Sequence, residues 1–219
     1  ADYNLILLPE NVDAVTAAAM GCRFMTGFHG VIRGNVKPGE WVAVQGAGGV
    51  GLSAIQTARA IGAQVVAVDI DDEKLSKAKE EGAAFVINAR KENVPEAVKE
   101  ITKGGAHASI DALGIKETIL NSVLSLRKGG RHVQIGLTTS NEQGMVSLPI
   151  DIITLMELEV VGSFGNPHVE YTGLMSLVSE GRLRPKSLVE REVRLEDVNE
   201  VFDRMSRFAT KGFNIITQF

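Results

Sequence analysis

The residues with the clearest chemical potential are three glycines and one acid between positions 46 and 69. Gly46, Gly48 and Gly51 follow the pattern G-x-G-x-x-G, and Asp69 lies 18 residues after Gly51. In this pattern the first glycine permits a sharp turn, the second lets a pyrophosphate approach the backbone, and the third lets a helix lie close to a strand. An acid at about this distance accepts hydrogen bonds from ribose hydroxyls, and its charge repels a 2′-phosphate. These residues therefore predict a site for NAD rather than NADP.

The elements around this motif have the order that such a site needs. A short β-forming run, residues 41–44, precedes the glycines; apolar residues then recur at helical spacing over residues 52–61, and a β-branched run over residues 65–68 ends on Asp69. A glycine turn alone is weak evidence, because many such turns are purely structural. With strand, helix, strand and acid all in register, we favour a dinucleotide-binding βαβ unit, whose helix N-terminus faces the phosphates.

Composition narrows the class of protein. The chain has 219 residues, of which 44% are hydrophobic and 23% charged, and its net charge is −4. This balance is typical of a globular protein and gives no reason to expect nucleic acid or a membrane as a partner. No apolar run has the length of a membrane span. Cys22 is the single cysteine, so we expect no intrachain disulfide and a cytoplasmic location.

Beyond Asp69 the sequence continues to alternate between strand and helix patterns. Strands are predicted at residues 84–87, 108–113, 132–137 and 158–164, and outside this region at 5–8, 188–193 and 214–217. Such alternation predicts a parallel sheet covered by helices on both faces, with ligands at the carboxyl ends of the strands. The expected fold is an α/β Rossmann domain with a doubly wound, six-stranded parallel sheet. Its predicted cleft combines residues 46–51, Asp69, 112–114 and 135–137.

Two longer stretches carry a family resemblance. With AAAMGCRFMTGFHG and KPGEWVAVQGAGGVGLSAIQTA, the chain resembles the zinc-dependent alcohol dehydrogenases of the medium-chain dehydrogenase/reductase superfamily. The resemblance extends to the closing KGFNIITQF but covers only the later part of a full-length member, whose GroES-like catalytic domain would precede Ala1. It implies an NAD-binding Rossmann domain over residues 24–165. Residues 1–23 and 166–219 would be flanks that belong to the catalytic domain.

The resemblance also implies a role for individual positions. Cys22 matches a ligand of the catalytic zinc, Thr26 a residue beside the nicotinamide, and Val50 a residue that supports the nicotinamide ring. Asp69 matches the ribose-binding acid, and Lys74 a lysine that reaches the adenosine ribose. The residues expected to bind the cofactor are Thr26, Gly46, Gly48, Gly49, Val50, Asp69, Lys74, Ala112, Leu113, Gly114, Ile135, Gly136 and Leu137.

Some positions depart from the family pattern. Phe213 stands where many members have an arginine that reaches the pyrophosphate, and His107 stands where many have an aspartate. The remaining zinc ligands and the proton-relay residues have no counterpart in this sequence. A catalytic zinc needs three protein ligands and an open position, so Cys22 alone should not hold the metal.

The implied activity is hydride transfer between an alcohol or aldehyde and NAD, with zinc polarising the substrate oxygen. We expect the chain by itself to bind NAD without appreciable turnover. The alternatives are a zinc-free reductase of the quinone oxidoreductase kind, a non-catalytic nucleotide-binding module and an S-adenosylmethionine methyltransferase. Residues 156–165, which include the predicted sixth strand, resemble the edge through which family members dimerise, so a homodimer or homotetramer is expected through this edge. We expect His29 to be either a cofactor-side or a packing histidine, and Asp111 to be a structural carboxylate or a wall of the cleft.

Overall fold

The central element is a parallel sheet of six strands. The computed structural model describes residues 5–165, 167–207 and 209–219, so the predicted boundaries at residues 1 and 166 lie outside the described residues. The strand order is β3-β2-β1-β4-β5-β6, and all neighbouring pairs are parallel. This order confirms the predicted Rossmann fold. The strands are β1 (Trp41–Gln45), β2 (Gln64–Asp69), β3 (Phe85–Asn88), β4 (Ala106–Asp111), β5 (Leu126–Gln134) and β6 (Glu159–Gly162).

Nine α-helices lie within the described residues, and most of them connect or cover these strands. They are α1 (Ala14–Ala19), α2 (Met25–Arg33), α3 (Gly49–Ile61), α4 (Asp72–Glu80), α5 (Val94–Thr102), α6 (Lys116–Leu124), α7 (Ile150–Leu155), α8 (Tyr171–Ser179) and α9 (Val198–Ser206). A short π-helical segment, Met20–Phe24, joins α1 to α2, and a second parallel pair of strands, β7 (Val189–Arg194) and β8 (Phe213–Gln218), closes the chain.

The sheet is buried on both faces because β1 has apolar side chains on each side. Val42 and Val44 pack in one hydrophobic cluster with residues of α2 and α3, whereas Ala43 packs in a second cluster with residues of β2 and α5. Strands that are buried on both faces carry continuous apolar runs rather than alternating ones. This is the pattern of residues 41–44 and 65–68 in the sequence.

Several predicted strand boundaries are wrong. Residues 5–8 form neither helix nor strand, and no described strand pairs with them. The strand predicted at residues 132–137 instead begins at Leu126 and ends at Gln134, since the register with β4 shifts around Gly129 and Gly130 and lets the earlier residues pair. The strand predicted at residues 108–113 ends at Asp111. Residues 112–114 and 135–137 are therefore loops just beyond the sheet.

The two ends of the chain pack against each other and against the same core. Asn11 forms hydrogen bonds with Ser179 (2.9 and 3.0 Å), and Lys186 forms an ion pair with Asp13 (3.0 Å). Apolar residues from both ends join the cluster that contains α3. The flanks are thus part of one continuous core with the sheet.

Candidate functional site

The glycine turn has the geometry that the sequence predicts. Gly46 has φ +91°, in the left-handed region that favours glycine, and its N–H donates to the Val68 carbonyl (2.7 Å). A β-carbon placed on Gly51 would lie 1.7 Å from the Gly46 carbonyl oxygen, whereas one placed on Gly48 would meet nothing within 4 Å. Gly51 is therefore required by packing. Gly48 is exposed, and its missing side chain leaves space open to a ligand.

The first turn of α3 leaves its N-terminus available to an anion. Gly48 is the N-cap, and no side chain makes a capping hydrogen bond there. The first N–H groups of a helix have no partner within the helix, and the helix dipole adds a partial positive charge at that end. This end of α3 could hold a phosphate group without any rearrangement of the fold.

Asp69 connects the glycine turn to the end of β2. Its side chain is 8% exposed, and Oδ2 accepts a hydrogen bond from the Ala47 N–H (2.8 Å). Oδ1 accepts from the N–H groups of Ile70 (2.8 Å) and Asp71 (3.1 Å). A carboxylate offers about four lone-pair sites, so three donors leave room for a ribose hydroxyl. Beyond its predicted ligand role, Asp69 thus fixes the turn. The Lys74 N–H donates to the side chain of Asp71 (3.4 Å), the N-cap of α4.

The loops after β4 and β5 are joined by a buried carboxylate. Asp111 is fully buried, and its side chain accepts from the N–H groups of Leu113 (3.2 Å) and Gly114 (2.9 Å) and from Gln134 Nε2 (2.8 Å). Its backbone carbonyl accepts from Ile135 and Gly136 (both 3.0 Å). The two predicted loop segments, residues 112–114 and 135–137, therefore lie together, and Asp111 has the expected structural role.

Close packing at three glycines holds these loops together beside the glycine turn and holds α2 against α3. A β-carbon on Gly46 would lie 2.8 Å from Leu113, and one on Gly114 would lie 2.2 Å from the Leu137 carbonyl oxygen. On α2, a β-carbon on Gly27 would lie 2.6 Å from the Val50 carbonyl oxygen. Gly27, the residue after Thr26 on α2, therefore packs against the start of α3.

Cys22 lies on the π-helical segment, is exposed and is a free thiol. It lines a cavity of about 310 Å³ between the two flanks of the chain, together with Arg23, Phe213 and apolar residues of β7, β8 and α9. Among the described residues there is no group of three or more histidine, cysteine or acidic side chains that could hold a metal. The side chains of the described residues do not by themselves fit a catalytic zinc.

A buried polar chain behind the cleft was not predicted. His132 is 1% exposed; Nδ1 lies 2.9 Å from Ser122 Oγ, and Nε2 lies 3.1 Å from Gln134 Oε1. Gln134 in turn donates to Asp111, so the chain leads from α6 to the two loops. Burial lowers the pKa of His132, and the contact with Gln134 opposes this only in part. No local signal distinguishes Gln134 in the sequence, because its partners become neighbours only in the folded sheet.

Two other histidines have structural partners. His107 Nδ1 accepts the N–H of Trp41 (3.0 Å), at the start of β1, and burial, together with the nearby Arg127, lowers the pKa of His107. His29 Nδ1 lies 2.9 Å from both carboxylate oxygens of Glu170, which ties α2 to the segment before α8. His29 is thus partly buried and paired with an acid.

The fold and the cleft define a dinucleotide-binding α/β protein of the Rossmann class. The sequence also matches the family model of zinc-binding dehydrogenases over residues 49–180. This match covers more than half of the chain, which therefore belongs to the zinc-binding dehydrogenase family.

Individual relatives agree with this assignment. An alcohol dehydrogenase of Geobacillus stearothermophilus is 34% identical over 97% of this chain and 60% of its own length. An NAD-dependent alcohol dehydrogenase of Sulfurisphaera tokodaii is 32% identical over 98% of this chain and 61% of its own length. The chain thus spans about 60% of the curated relatives that it matches.

Solved structures give the same result. The alcohol dehydrogenase TADH from Thermus sp. ATN1 superposes with a TM-score of 0.90 at 28% identity, covering 97% of this chain and 61% of that structure. A protein of the zinc-binding dehydrogenase class from Sinorhizobium meliloti, solved with bound NADP, has a TM-score of 0.82 at 26% identity, covering 96% of this chain and 59% of that structure.

Proposed function

We propose that this chain is the NAD-binding part of a zinc-type alcohol dehydrogenase, an oxidoreductase that transfers a hydride between an alcohol or aldehyde and NAD. The observation that carries the proposal is the hydrogen bond between Asp69 and Ala47 beside the open space at Gly48. This hydrogen bond supports the proposal because the carboxylate of Asp69, which could accept from a ribose, then lies next to the open backbone at the start of α3, which could bind a pyrophosphate. The alcohol dehydrogenase relatives support the same reaction class.

The preference for NAD over NADP rests on local charge. Asp69 is followed by three further acids, Asp71, Asp72 and Glu73, and an added 2′-phosphate would lie among like charges. Lys211 forms an ion pair with Glu73, and Lys91 forms one with Asp72 (2.8 Å), so two of these acids are offset. Among the described residues Asp71 has no ion-pair partner, and it keeps its charge beside Asp69. The S. tokodaii relative is NAD-dependent, whereas the S. meliloti structure holds NADP, so relatives differ and the residues after β2 should decide.

The residues of the cleft would divide the work of binding. The glycine turn would hold the pyrophosphate, Asp69 and Lys74 the adenosine ribose, and Thr26 and Val50 the nicotinamide, with residues 112–114 and 135–137 as backbone walls. NAD, when bound, supplies the carbon that accepts or donates the hydride. The hydrogen bonds of Asp111 and Gln134 would keep both walls in place as the ring binds.

Zinc is proposed only for the whole enzyme, in which Cys22 would supply one ligand. Since the described residues contain no further ligand set, they form no complete zinc site. We therefore propose NAD binding without appreciable turnover for the chain alone. The domain boundaries at 23/24 and 165/166 and a cytoplasmic location belong to the same proposal.

The edge of the sheet at β6 is the proposed oligomer contact. No described strand pairs with the outer side of β6. Val160 in β6 is 48% exposed, and Leu155 and Phe164 on either side of the strand are 76% and 82% exposed. An unpaired edge with exposed apolar side chains favours pairing with another strand. A second copy of the chain could extend the sheet there, giving a homodimer or, with a second interface, a homotetramer.

The experiment that tests the proposal is titration with NADH, NADPH and S-adenosylmethionine. Binding of NADH can be followed by energy transfer from Trp41, the single tryptophan, to the nicotinamide. We expect NADH to bind, NADPH to bind more weakly, and S-adenosylmethionine not to compete. Preferential binding of S-adenosylmethionine would instead favour a methyltransferase. In the whole enzyme, activity that is insensitive to chelators would favour a zinc-free reductase.

A further inference from the structure

Two side chains, one from each flank, lie beside the first residue of α3. A β-carbon placed on Gly49, the first residue of α3, would lie 2.7 Å from Phe213 Cε1 and 3.2 Å from Arg23 Cδ. Arg23 comes from the π-helical segment before α2, and Phe213 is the first residue of β8. Arg23 therefore reaches the glycine turn at the same residue as Phe213, although the two lie far apart in sequence.

Phe213 stands where the family resemblance leads one to expect an arginine for the pyrophosphate. A phenyl ring carries no N–H donor and no charge, so it cannot replace that arginine. The Arg23 side chain, in contrast, already has its Cδ atom against Gly49, and the guanidinium lies one bond further along. The structure thus offers a cation close to the expected place from a different part of the chain.

The charge of Arg23 is not neutralised by a neighbouring acid. Within residues 5–165, 167–207 and 209–219, its guanidinium has one side-chain contact, Nη2 to Met205 Sδ at 3.7 Å, and no carboxylate at ion-pair distance. A thioether sulfur is only a weak acceptor for one of the five N–H groups of a guanidinium. Arg23 is also partly buried and adjoins the positive end of the α3 dipole. An unpaired cation at such a place is stabilised when an anion binds between them.

We propose that Arg23 binds the pyrophosphate of the dinucleotide and takes the role that Phe213 cannot fill. This inference rests on the proposed function, since it requires the dinucleotide to lie over the glycine turn. The guanidinium would exchange its weak contact with Met205 for charge-assisted hydrogen bonds to phosphate oxygens, which a planar fork can make in pairs. Because Arg23 directly follows Cys22, one short segment would then carry both the residue that binds the cofactor phosphates and the proposed zinc ligand.

The test separates the charge of Arg23 from the packing of its stem. Arg23→Met keeps an apolar stem against Gly49 and Phe213 but removes the charge, and Arg23→Lys keeps the charge but loses the planar fork. Arg59→Met is the matched control, because Arg59 lies in the last turn of α3, at the end of that helix opposite the glycine turn. The ligands are NADH, ADP-ribose, which keeps the pyrophosphate, and adenosine, which has no phosphate.

We expect Arg23→Met to weaken NADH and ADP-ribose by about ten-fold or more, the effect of losing one charge-assisted hydrogen bond. The affinity of Arg23→Met for adenosine should not change. For NADH and ADP-ribose, the affinity of Arg23→Lys should lie between those of Arg23→Met and the wild type, and Arg59→Met should bind as the wild type does. The affinity of the wild type for ADP-ribose should also fall more steeply with salt than that of Arg23→Met.

The outcomes distinguish this inference from the proposed function. If the wild type binds NADH, and Arg23→Met binds NADH and ADP-ribose as tightly as the wild type does, the cofactor site stands and the role of Arg23 is refuted. An equal loss of adenosine binding would show a packing effect and would also refute it. If the wild type binds neither NADH nor ADP-ribose, both proposals fail. Should Arg23→Met not fold, as judged by its thermal unfolding, Arg23→Gln and the salt dependence of Arg23→Lys decide in the same way.

Discussion

A substitution at Gly48 can change ligand binding without changing stability, because a β-carbon added there would contact no other atom of the protein. The residue has φ −80° and ψ −172°, a conformation open to any amino acid, and a β-carbon there would meet no atom within 4 Å. We predict that Gly48→Ala abolishes tight NADH binding and leaves the fold intact. The added methyl group would occupy the space in which we place the pyrophosphate.

The expected change in stability is small because two effects oppose each other. Replacing glycine by alanine reduces the entropy of the unfolded chain, which stabilises the fold by about 0.4–1 kcal/mol. Alanine is a poorer N-cap than glycine, and this costs a similar amount, on the order of 0.5–1 kcal/mol. The net change in the free energy of unfolding should therefore stay within about 1 kcal/mol. In a chain of this size that corresponds to a shift in Tm of less than about 4 °C.

The expected change in affinity is much larger. If the methyl group displaces the pyrophosphate from the start of α3, the complex loses at least one hydrogen bond to a charged oxygen, worth about 1.5–3 kcal/mol. NADH affinity should then fall by about ten-fold to about 150-fold. Fluorescence titration gives the affinity, and thermal unfolding followed by circular dichroism gives the stability.

Gly51→Ala provides the opposite control. Its β-carbon would lie 1.7 Å from the Gly46 carbonyl oxygen, so the substitution should destabilise the fold directly, whether or not NADH is present. If Gly48→Ala binds NADH as tightly as the wild type, the pyrophosphate does not lie over Gly48, and our reasoning on the cleft is refuted. A large loss of stability in Gly48→Ala would contradict the open geometry of the turn.

Three further predictions test other parts of the molecule. Asp69→Asn should weaken the binding of NADH and reduce the preference for NADH over NADPH in parallel titrations. An unchanged ratio of the two affinities would show that Asp69 does not discriminate between the cofactors. Because burial lowers the pKa of His132, its contribution to stability is complete above the unfolded pKa of about 6.5 and is lost as the pH falls through the folded pKa. Denaturant unfolding between pH 7.5 and pH 5 should show this loss, by at most about 1.4 kcal/mol per pH unit for one group, and His132→Gln should reduce the slope. Val160→Lys should give a smaller species than the wild type by sedimentation if β6 forms the oligomer contact, and an identical sedimentation coefficient would count against that edge.

The succession of strands and helices along the chain could be predicted from sequence because local patterns determine it. Apolar runs of four residues, glycines at the ends of strands and helical spacing between them identify β1, α3 and β2 without knowledge of their neighbours. The errors lie where pairing is not local. The early start of β5 depends on a shift in its register with β4, and residues 5–8 have a strand-like composition but no described partner.

The residues of the candidate site also fall into those that local spacing identifies and those that depend on contacts between distant segments. Gly46, Gly48, Gly51 and Asp69 lie in one segment with recognisable spacing, and the structure brings them together as predicted. Gln134 carries no signal, because its importance comes from Asp111, which lies 23 residues earlier and contacts it only across two paired strands. The resemblance supplied roles for Cys22 and Thr26, which spacing alone could not have assigned.

The contacts at Gly49 also bear on how the chain is divided. The proposed boundaries at 23/24 and 165/166 would separate a nucleotide domain from its flanks, yet Arg23 and Phe213 both lie outside those boundaries and both lie against the start of α3. If Arg23 binds the pyrophosphate, the cofactor site requires a residue from the N-terminal flank.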